Sequence, residues 1–231
     1  EGEFYLCHVD GGNKRNAIAR EAYATIAIDS SRKEEATELM ARCQKEVKEE
    51  YKLSDPHLYS KIEERAAVEK AIDSKTTTSL ILALNAVAHG VLAMSQEIEG
   101  LVETSTNLAS IKMVEENKIR IGTSQRSSIN SARYHAANRV EALFLLAGAK
   151  VSHESEYPGW QPKKDSPILE ISVNSYEKLF SEKPIVRAIH AGLECGMFLK
   201  TYPYLDMISF GPTIRGAHAP GERLEISTVD K

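Results

Sequence analysis

The sequence predicts an α/β fold in which mixed and antiparallel sheets carry helices packed on one face. Segments with period-two alternation of apolar and polar residues, typical of half-buried strands, occur between segments whose apolar residues recur at three-and-four spacing, typical of amphipathic helices. Two runs rich in Val, Ile and Thr, 101–115 and 118–127, flank Glu116-Asn117 and are typical of a long β-hairpin.

The first part of the chain reads as strand, strand, helix, strand, helix. Strands are predicted at 3–9 and 20–28, with a turn at 10–13 whose Gly and Asn residues tolerate positive φ. Ser31 and Glu34 have the spacing of a capping box, which predicts that a helix begins here. This helix carries one apolar stripe, formed by Ala36, Leu39, Met40, Cys43, Val47 and Tyr51.

Further elements follow from the same patterns and from their Gly, Pro and Ser/Asp punctuation. They are, in order, a weaker strand at 61–68, a helix from Asp73 or Ser74 to Ala88 with Gly90 as its C-cap, the hairpin, a helix at 128–147 ended by Gly148, a strand at 150–157, a helix at 167–180, a strand at 185–189, a helix from Leu193, a short buried strand with Met207, Ile208 and Phe210, and a helix start at Glu222.

The Pro-rich stretch 158–162 predicts a domain boundary, which gives two domains, 1–161 and 162–231. The net charge of −4 gives no electrostatic reason to expect nucleic acid as a partner. No apolar run approaches the ~18 residues of a membrane span, and the start lacks the features of a signal peptide. The three distant cysteines predict neither disulfides nor a Cys-type zinc site, so a cytoplasmic protein is expected.

A Gly/Pro-rich loop near the end of the chain carries His218 and Arg215. Five residues with special backbone demands fix its course, namely Gly211, Pro212, Gly216, Pro220 and Gly221. A neutral imidazole in such a loop is either a metal ligand or a side chain that only hydrogen-bonds the loop. One histidine by itself does not make a zinc site, so the spacing leaves both interpretations open.

The phrase SFGPTIRGAHAPGERLEI at 209–226, preceded by AIHAGLECG at 188–196, resembles the C-terminal signature of the Xaa-His dipeptidases, a family of two-zinc exopeptidases. The resemblance implies that 1–161 is a lid and dimerisation domain incomplete at its N-terminus. It implies that 162–231 is the C-terminal part of the zinc-peptidase catalytic domain. His218 would ligate one of two Zn²⁺ ions. The His8-Val9-Asp10 motif is rejected as a ligand, because its sequence context differs from that of the family's zinc motif.

Three further positions match family motifs. By resemblance, Asn16 would donate to the oxyanion of the tetrahedral intermediate, Arg126 would grip the C-terminal carboxylate of a dipeptide, and Glu194 would attract its α-amine. The alternatives are a turn asparagine, a solvated arginine and a Gly turn at 190–196 that binds an anion. His190 is expected to be a buried structural histidine, and His89 and Arg215 receive no functional role.

Two function hypotheses follow. In the first, the chain is a fragment of a zinc dipeptidase that forms a homodimer through its lid, and the fragment is inactive because the remaining zinc ligands and the general base are missing. In the second, it is a non-catalytic αβ dimerisation or interaction module. The His218 loop favours the first hypothesis, because a dimerisation module would not need it.

Overall fold

The computed structural model describes residues 4–66, 68–115, 117–154, 158–160, 163, 165–188, 194–217 and 221–230. Their elements are β1 (Tyr5–Gly12), β2 (Ala22–Ala27), α1 (Lys33–Tyr51), α2 (Ser74–Ala86), β3 (Gly90–Met94), β4 (Val102–Glu115), β5 (Lys118–Ser127), α3 (Asn130–Leu146), α4 (Pro167–Phe180), α5 (Glu194–Thr201), β6 (Ile214–Arg215) and β7 (Arg223–Leu224), with short 3₁₀ turns at Ser30–Arg32 and Ile226–Thr228.

The main sheet is built around the 14-residue strand β4. One edge of β4 pairs with β5 along its length, as the hairpin prediction required. Its other edge pairs with β3 at residues 102–106 and with β1 at residues 110–112, and β1 pairs in turn with β2. All of these pairings are antiparallel, so the predicted α/β class with an antiparallel sheet is confirmed.

Helices α2 and α3 pack on one face of this sheet and form its core with β4 and β5. The buried cluster consists of Ala83, Val87, Val140 and Phe144, with Leu108, Ile121, Leu143, Ala147 and Val151 packed against it. The apolar stripe predicted for α3 is confirmed in the middle of the helix, where Ala136, Val140 and Phe144 are buried. Burial of Val140 and of Phe144 contributes about 1.5–3 kcal/mol each to folding.

Helix α1 has the predicted stripe but begins differently. Asp29, not Ser31, provides the cap: its carboxylate accepts the Ser31 amide N–H at 2.8 Å and caps the 3₁₀ turn that leads into the helix. No described residue of α1 is buried. Side chains of the stripe are 42–48 % exposed at Leu39, Met40, Val47 and Tyr51. The apolar face of α1 is therefore largely uncovered in the single chain.

Asp73 caps α2 as predicted, because its carboxylate accepts the Thr76 amide N–H at 2.9 Å. Gly90 as the C-cap of this helix was wrong. Val87 is the C-cap, and Gly90 begins strand β3, which the sequence analysis did not predict. The turn predicted at 10–13 was also wrong, since β1 continues to Gly12. A Gly read as a helix stop therefore concealed a short edge strand.

Several predicted strands are absent from the described parts of the chain. Residues 61–66 and 68, 150–154, 185–188 and 207–210 form no strand. Their sequences have β-like composition, but no sheet edge among the described residues pairs with them, and a strand needs a partner. The helix predicted from Glu222 was also wrong, because β6 and β7 form a short hairpin there.

The C-terminal part contacts the main sheet through the segment 158–160: Gly196 of α5 lies against Pro158, and Gly159 lies against Ser127 at the end of β5. Ser166 caps α4 as its hydroxyl accepts the Leu169 amide N–H at 3.2 Å, and the Asp206 carboxylate accepts the Ile168 amide N–H at 3.1 Å. A Cβ atom placed on Gly196 of α5 would lie 2.6 Å from the carbonyl oxygen of Pro158. Among the described residues, no helix combines the length and apolar character needed to cross a bilayer.

Candidate active site

The loop that carries Asn16 leaves the sheet at the end of β1. Gly12 has φ +59°, and a Cβ atom there would stand 1.9 Å from the carbonyl oxygen of Ala109. Its amide N–H donates to the carbonyl of Glu21 at 3.0 Å, which closes the base of the loop. Only glycine fits this combination of positive φ and backbone contact. The chain therefore turns away from β4 at a fixed point, and residues 13–21 form a loop beside it.

The edge of β4 has a gap at this point. β3 pairs as far as Thr106, and β1 pairs from Ser110 onward. Within the gap, the Nδ1 atom of His89 accepts the Leu108 amide N–H at 3.0 Å. The imidazole takes the place of a backbone carbonyl, so His89 has a structural role in the sheet edge.

Asn107 connects the gap to the Asn16 loop. Its Nδ2 atom donates to the carbonyl oxygens of Arg15 at 3.2 Å and of Ala17 at 2.8 Å. These two carbonyls flank Asn16. The side chain of Asn16 is exposed, and none of the described residues forms a hydrogen bond with it. Its amide is therefore free to donate to a ligand.

Arg126 lies on the sheet face opposite the helices. Thr104 and Thr106 are each 3 % exposed and point towards α2 and α3, so the alternate residues of β4 point the other way. Arg126 pairs in register with one of these, Ser105. Its side chain is half-buried, and no described residue forms an ion pair with it. A guanidinium in this setting is prepared to bind a carboxylate in bidentate geometry.

The structure thus brings Asn107 and Arg126 to one side of the sheet. Asn107 pairs with Ser124, two residues before Arg126, so the two are diagonal neighbours across the β4–β5 ladder. Diagonal neighbours in an antiparallel pair lie roughly 7–8 Å apart. Because Asn107 holds the residues on either side of Asn16, the Asn16 loop and Arg126 border the same stretch of sheet surface.

The remaining predicted site residues are placed less fully. Glu194 is the exposed first residue of α5. Arg215 on β6 pairs with Glu225 at 3.3 Å, which braces the β6–β7 hairpin and gives this arginine a structural partner. His218 and His190 lie outside the described residues. Position 218 falls between β6 and β7 in the sequence.

The described residues contain no group of three or more His, Cys, Asp or Glu side chains that could hold a metal ion. A catalytic zinc site needs about three protein ligands. The described residues by themselves therefore do not fit a zinc site, and no catalytic step through a metal can be derived from them. A cavity of about 470 Å³ lies beside the residues that follow β5. It is lined by Ser128, Ile129, Asn130, Gly159, Lys163, Leu199 and Pro203.

Comparison with known proteins first gives the class. Residues 2–55, which hold β1, β2 and α1, match the family described as peptidase dimerisation domain. The chain is 38 % identical over 229 residues to the cytosol non-specific dipeptidase of Escherichia coli, covering 99 % of this chain and 47 % of that protein.

Among solved structures, the chain is similar to aminoacylhistidine dipeptidase from Vibrio alginolyticus. The TM-score is 0.84 and the sequence identity 39 %, and the match covers 98 % of this chain and 46 % of that one. The chain therefore spans about half the length of the dipeptidases that it matches. These matches confirm the resemblance to the Xaa-His dipeptidases, and the homologues of the chain are named as dipeptidases, which are hydrolases.

Sequence reasoning missed Asn107, Gly12 and His89 as residues that build this site. One sequence feature could have indicated Asn107. Asparagine is disfavoured in the middle of a Val/Thr-rich strand, so its presence there suggests that its side chain makes a specific contact. The roles of Gly12 and His89 depend on contacts with β4 that no local pattern contains.

Proposed function

We propose that this chain forms the substrate-binding and dimerising part of a dipeptidase that hydrolyses Xaa-His and other dipeptides with metal-activated water. The observation that carries the proposal is the half-buried Arg126 guanidinium, which pairs with no described residue and borders the same sheet surface as the Asn16 loop. Similarity to named dipeptidases over almost the whole chain supports it.

The proposed roles follow from the chemistry of each side chain. Arg126 binds the C-terminal carboxylate of the dipeptide with two parallel hydrogen bonds. Asn16 donates its amide to the oxygen of the scissile carbonyl, where negative charge develops, and such a donor contributes about 2.7–4 kcal/mol to transition-state stabilisation. Glu194 attracts the α-amine of the substrate. Together, these three contacts fit a substrate in which the reacting carbonyl lies one residue from the C-terminal carboxylate.

The metal part of the proposal depends on His218. By resemblance, His218 holds one of two Zn²⁺ ions, which when bound supply an activated water and polarise the carbonyl. The remaining ligands and the general base have no counterpart among the described residues. We therefore expect this chain to be inactive alone and to need those groups from further residues of a longer protein.

The protein is proposed to work in the cytoplasm, as the name of its Escherichia coli relative says of that protein.

Helix α1 is proposed as the core of a homodimer interface. The helix lies inside the matched peptidase dimerisation region, and its apolar side chains are uncovered in the single chain. Apolar faces of this kind are typical of surfaces that bind another protein.

The second candidate is a non-catalytic αβ interaction module. The uncovered face of α1 favours it, since that face serves dimerisation whether or not catalysis survives. The two candidates differ at Arg126 and His218. An interaction module does not require an arginine that binds a substrate carboxylate or a histidine that binds a metal ion.

A hybrid enzyme tests the proposal. The chain replaces the matching segment of the Escherichia coli relative, and zinc-dependent cleavage of Gly-His and β-Ala-His is measured. We expect activity in the hybrid enzyme and none in the isolated chain, with His218→Ala removing bound zinc and activity together. His57→Ala, at an exposed position without a proposed role, is the matched control. A folded hybrid enzyme that binds no zinc and cleaves nothing would favour the interaction module.

A further inference from the structure

The loop at residues 13–21 has no regular structure of its own to fix Asn16. Within it, the amide N–H of Ala17 donates to the carbonyl of Lys14 at 3.1 Å, and the base is closed by the bond from Gly12 to Glu21. Residues 13–16 and 18–21 are exposed. A loop of this composition samples many conformations unless something outside it binds its backbone. An oxyanion donor on such a loop must be held in place to be effective.

Asn107 provides that support from the sheet. One Nδ2 group donates both of its hydrogens to the carbonyls that flank Asn16, at 3.2 and 2.8 Å, across 92 and 90 residues of sequence. The two contacts leave the side chain of Asn16 between two restrained peptide groups.

The Oδ1 atom of Asn107 is buried and accepts no hydrogen bond from any described residue. Leaving a buried acceptor unpaired is unfavourable, and such groups in folded proteins often mark functional positions. A strand position with a β-branched residue would avoid this penalty. Such a residue, however, would leave the carbonyls of Arg15 and Ala17 without the Nδ2 donor of Asn107.

We propose that Asn107 is a positioning residue that fixes the distance between Asn16 and Arg126. Asn107 sits on the β4–β5 ladder at a diagonal position to Arg126, and through the two carbonyls it ties the Asn16 loop to that ladder. The register of two strands thus sets the spacing between the group that binds the scissile carbonyl and the group that binds the carboxylate. This inference rests on the proposed function and adds the residue that selects dipeptides over longer peptides.

Asn107→Asp is the sharpest variant, because it keeps the shape of the side chain and replaces both donors with an acceptor facing two carbonyls. Asn85→Asp is the matched control, since the Asn85 amide also donates to a backbone carbonyl, that of Ile81, but on α2. In the full chain, amide hydrogen exchange by NMR reports on the loop. We expect exchange at Ala17, whose amide N–H donates to the carbonyl of Lys14, to accelerate at least tenfold in Asn107→Asp and to be unchanged in Asn85→Asp. Unchanged exchange in both variants would overturn the inference.

Activity in the hybrid enzyme gives a second measurement that a merely structural role would not affect. We expect Asn107→Asp to lower kcat tenfold to a hundredfold with little change in KM, and to narrow the preference for Gly-His over Gly-Gly-His. Added to Asn16→Ala, it should lower kcat no further, because both changes remove the same donor. Additive losses would overturn the inference. If the unmodified hybrid enzyme is inactive, the proposed function fails, and the exchange measurement alone decides the role of Asn107.

Discussion

The α-carbon of Gly196 lies against the carbonyl of Pro158, so closely that a Cβ atom at position 196 would stand 2.6 Å from that oxygen. The contact is repeated one residue later. A Cβ atom on Gly159 would stand 2.5 Å from the carbonyl oxygen of Ser127, the neighbour of Arg126. Helix α5, the linker and the end of β5 therefore stack backbone against backbone, and this stack supports the strand that carries Arg126.

Replacing Gly196 by Ala should lower the free energy of unfolding by about 1–3 kcal/mol, because the new methyl group meets a backbone carbonyl that cannot move aside alone. The loss is expected even though Ala favours helices over Gly by about 1 kcal/mol. Gly211→Ala is the control, since a Cβ atom there meets nothing within 4 Å. Urea unfolding of both variants measures the difference, and equal stabilities would refute the stacked arrangement.

His89→Ala should destabilise the sheet by about 1 kcal/mol, because the Leu108 amide N–H loses its acceptor in the gap of β4. His89→Asn should recover part of the loss, since its side-chain oxygen can accept the same hydrogen bond. Thermal unfolding of these variants can be compared with that of His57→Ala, at an exposed histidine outside the strands. If both alanine variants unfold at one temperature, His89 does not close the gap.

The Asp206 carboxylate gives a prediction about pH. The Ile168 amide N–H, and after it the Ser166 hydroxyl, hold the pKa of Asp206 below its ordinary value. A lowered folded-state pKa stabilises the fold above the ordinary value, and the stabilisation is lost as pH falls through the folded value.

Asp206→Asn should therefore be less stable than the unmodified chain at pH 7, and the difference should shrink below about pH 4, near the ordinary pKa of aspartate. Asp55→Asn, at an exposed aspartate, serves as the control. Denaturant unfolding between pH 3 and pH 7 gives the comparison. A stability difference that stays constant over this range would contradict the role assigned to Asp206.

Charging the apolar face of α1 should break the proposed homodimer. Val47→Glu places a carboxylate in the uncovered stripe, where burial against a second copy would be costly. Sedimentation analysis is expected to show a dimer for the unmodified chain and a monomer for Val47→Glu. Lys45→Glu changes charge on the polar face of the same helix and should leave the dimer intact. A dimer in all three proteins would place the interface elsewhere.

The main sheet could be predicted from the sequence to the extent that its elements carry local patterns. The hairpin of β4 and β5 and the core stripe of α3 were predicted correctly, because each repeats a burial period over ten or more residues. Segments 150–154, 185–188 and 207–210 share a β-like composition but form no strand. Composition indicates whether a segment is able to adopt an extended conformation. Whether it forms a strand depends on a sheet edge that residues distant in sequence provide.

The site was predictable only in part, for the same reason. Asn16 and Arg126 were predicted as site residues from short family motifs and stay predictions, while the connection between them through Asn107 spans about 90 residues and has no local pattern. Gly90 shows how one residue supports two interpretations. A glycine after an apolar helical stripe predicts a C-cap, but here it is the first residue of edge strand β3, and the gap along β4 begins just beyond its partner Thr106.

The proposed binding of a dipeptide carboxylate by Arg126 can be tested directly. The most direct measurement compares kcat/KM of the hybrid enzyme for Gly-His and for the same dipeptide with a C-terminal amide, in the unmodified form, in Arg126→Lys and in Arg120→Lys. Arg120 is an exposed arginine on the same strand and serves as the control.

A charge-assisted hydrogen bond contributes about 1.5–3 kcal/mol, so the unmodified and Arg120→Lys enzymes should prefer the free carboxylate by roughly tenfold to a hundredfold. Arg126→Lys should lose most of this preference, because an ammonium group cannot reproduce the bidentate contact. A preference that is unchanged in Arg126→Lys would contradict the account, since the carboxylate would then be bound by another group.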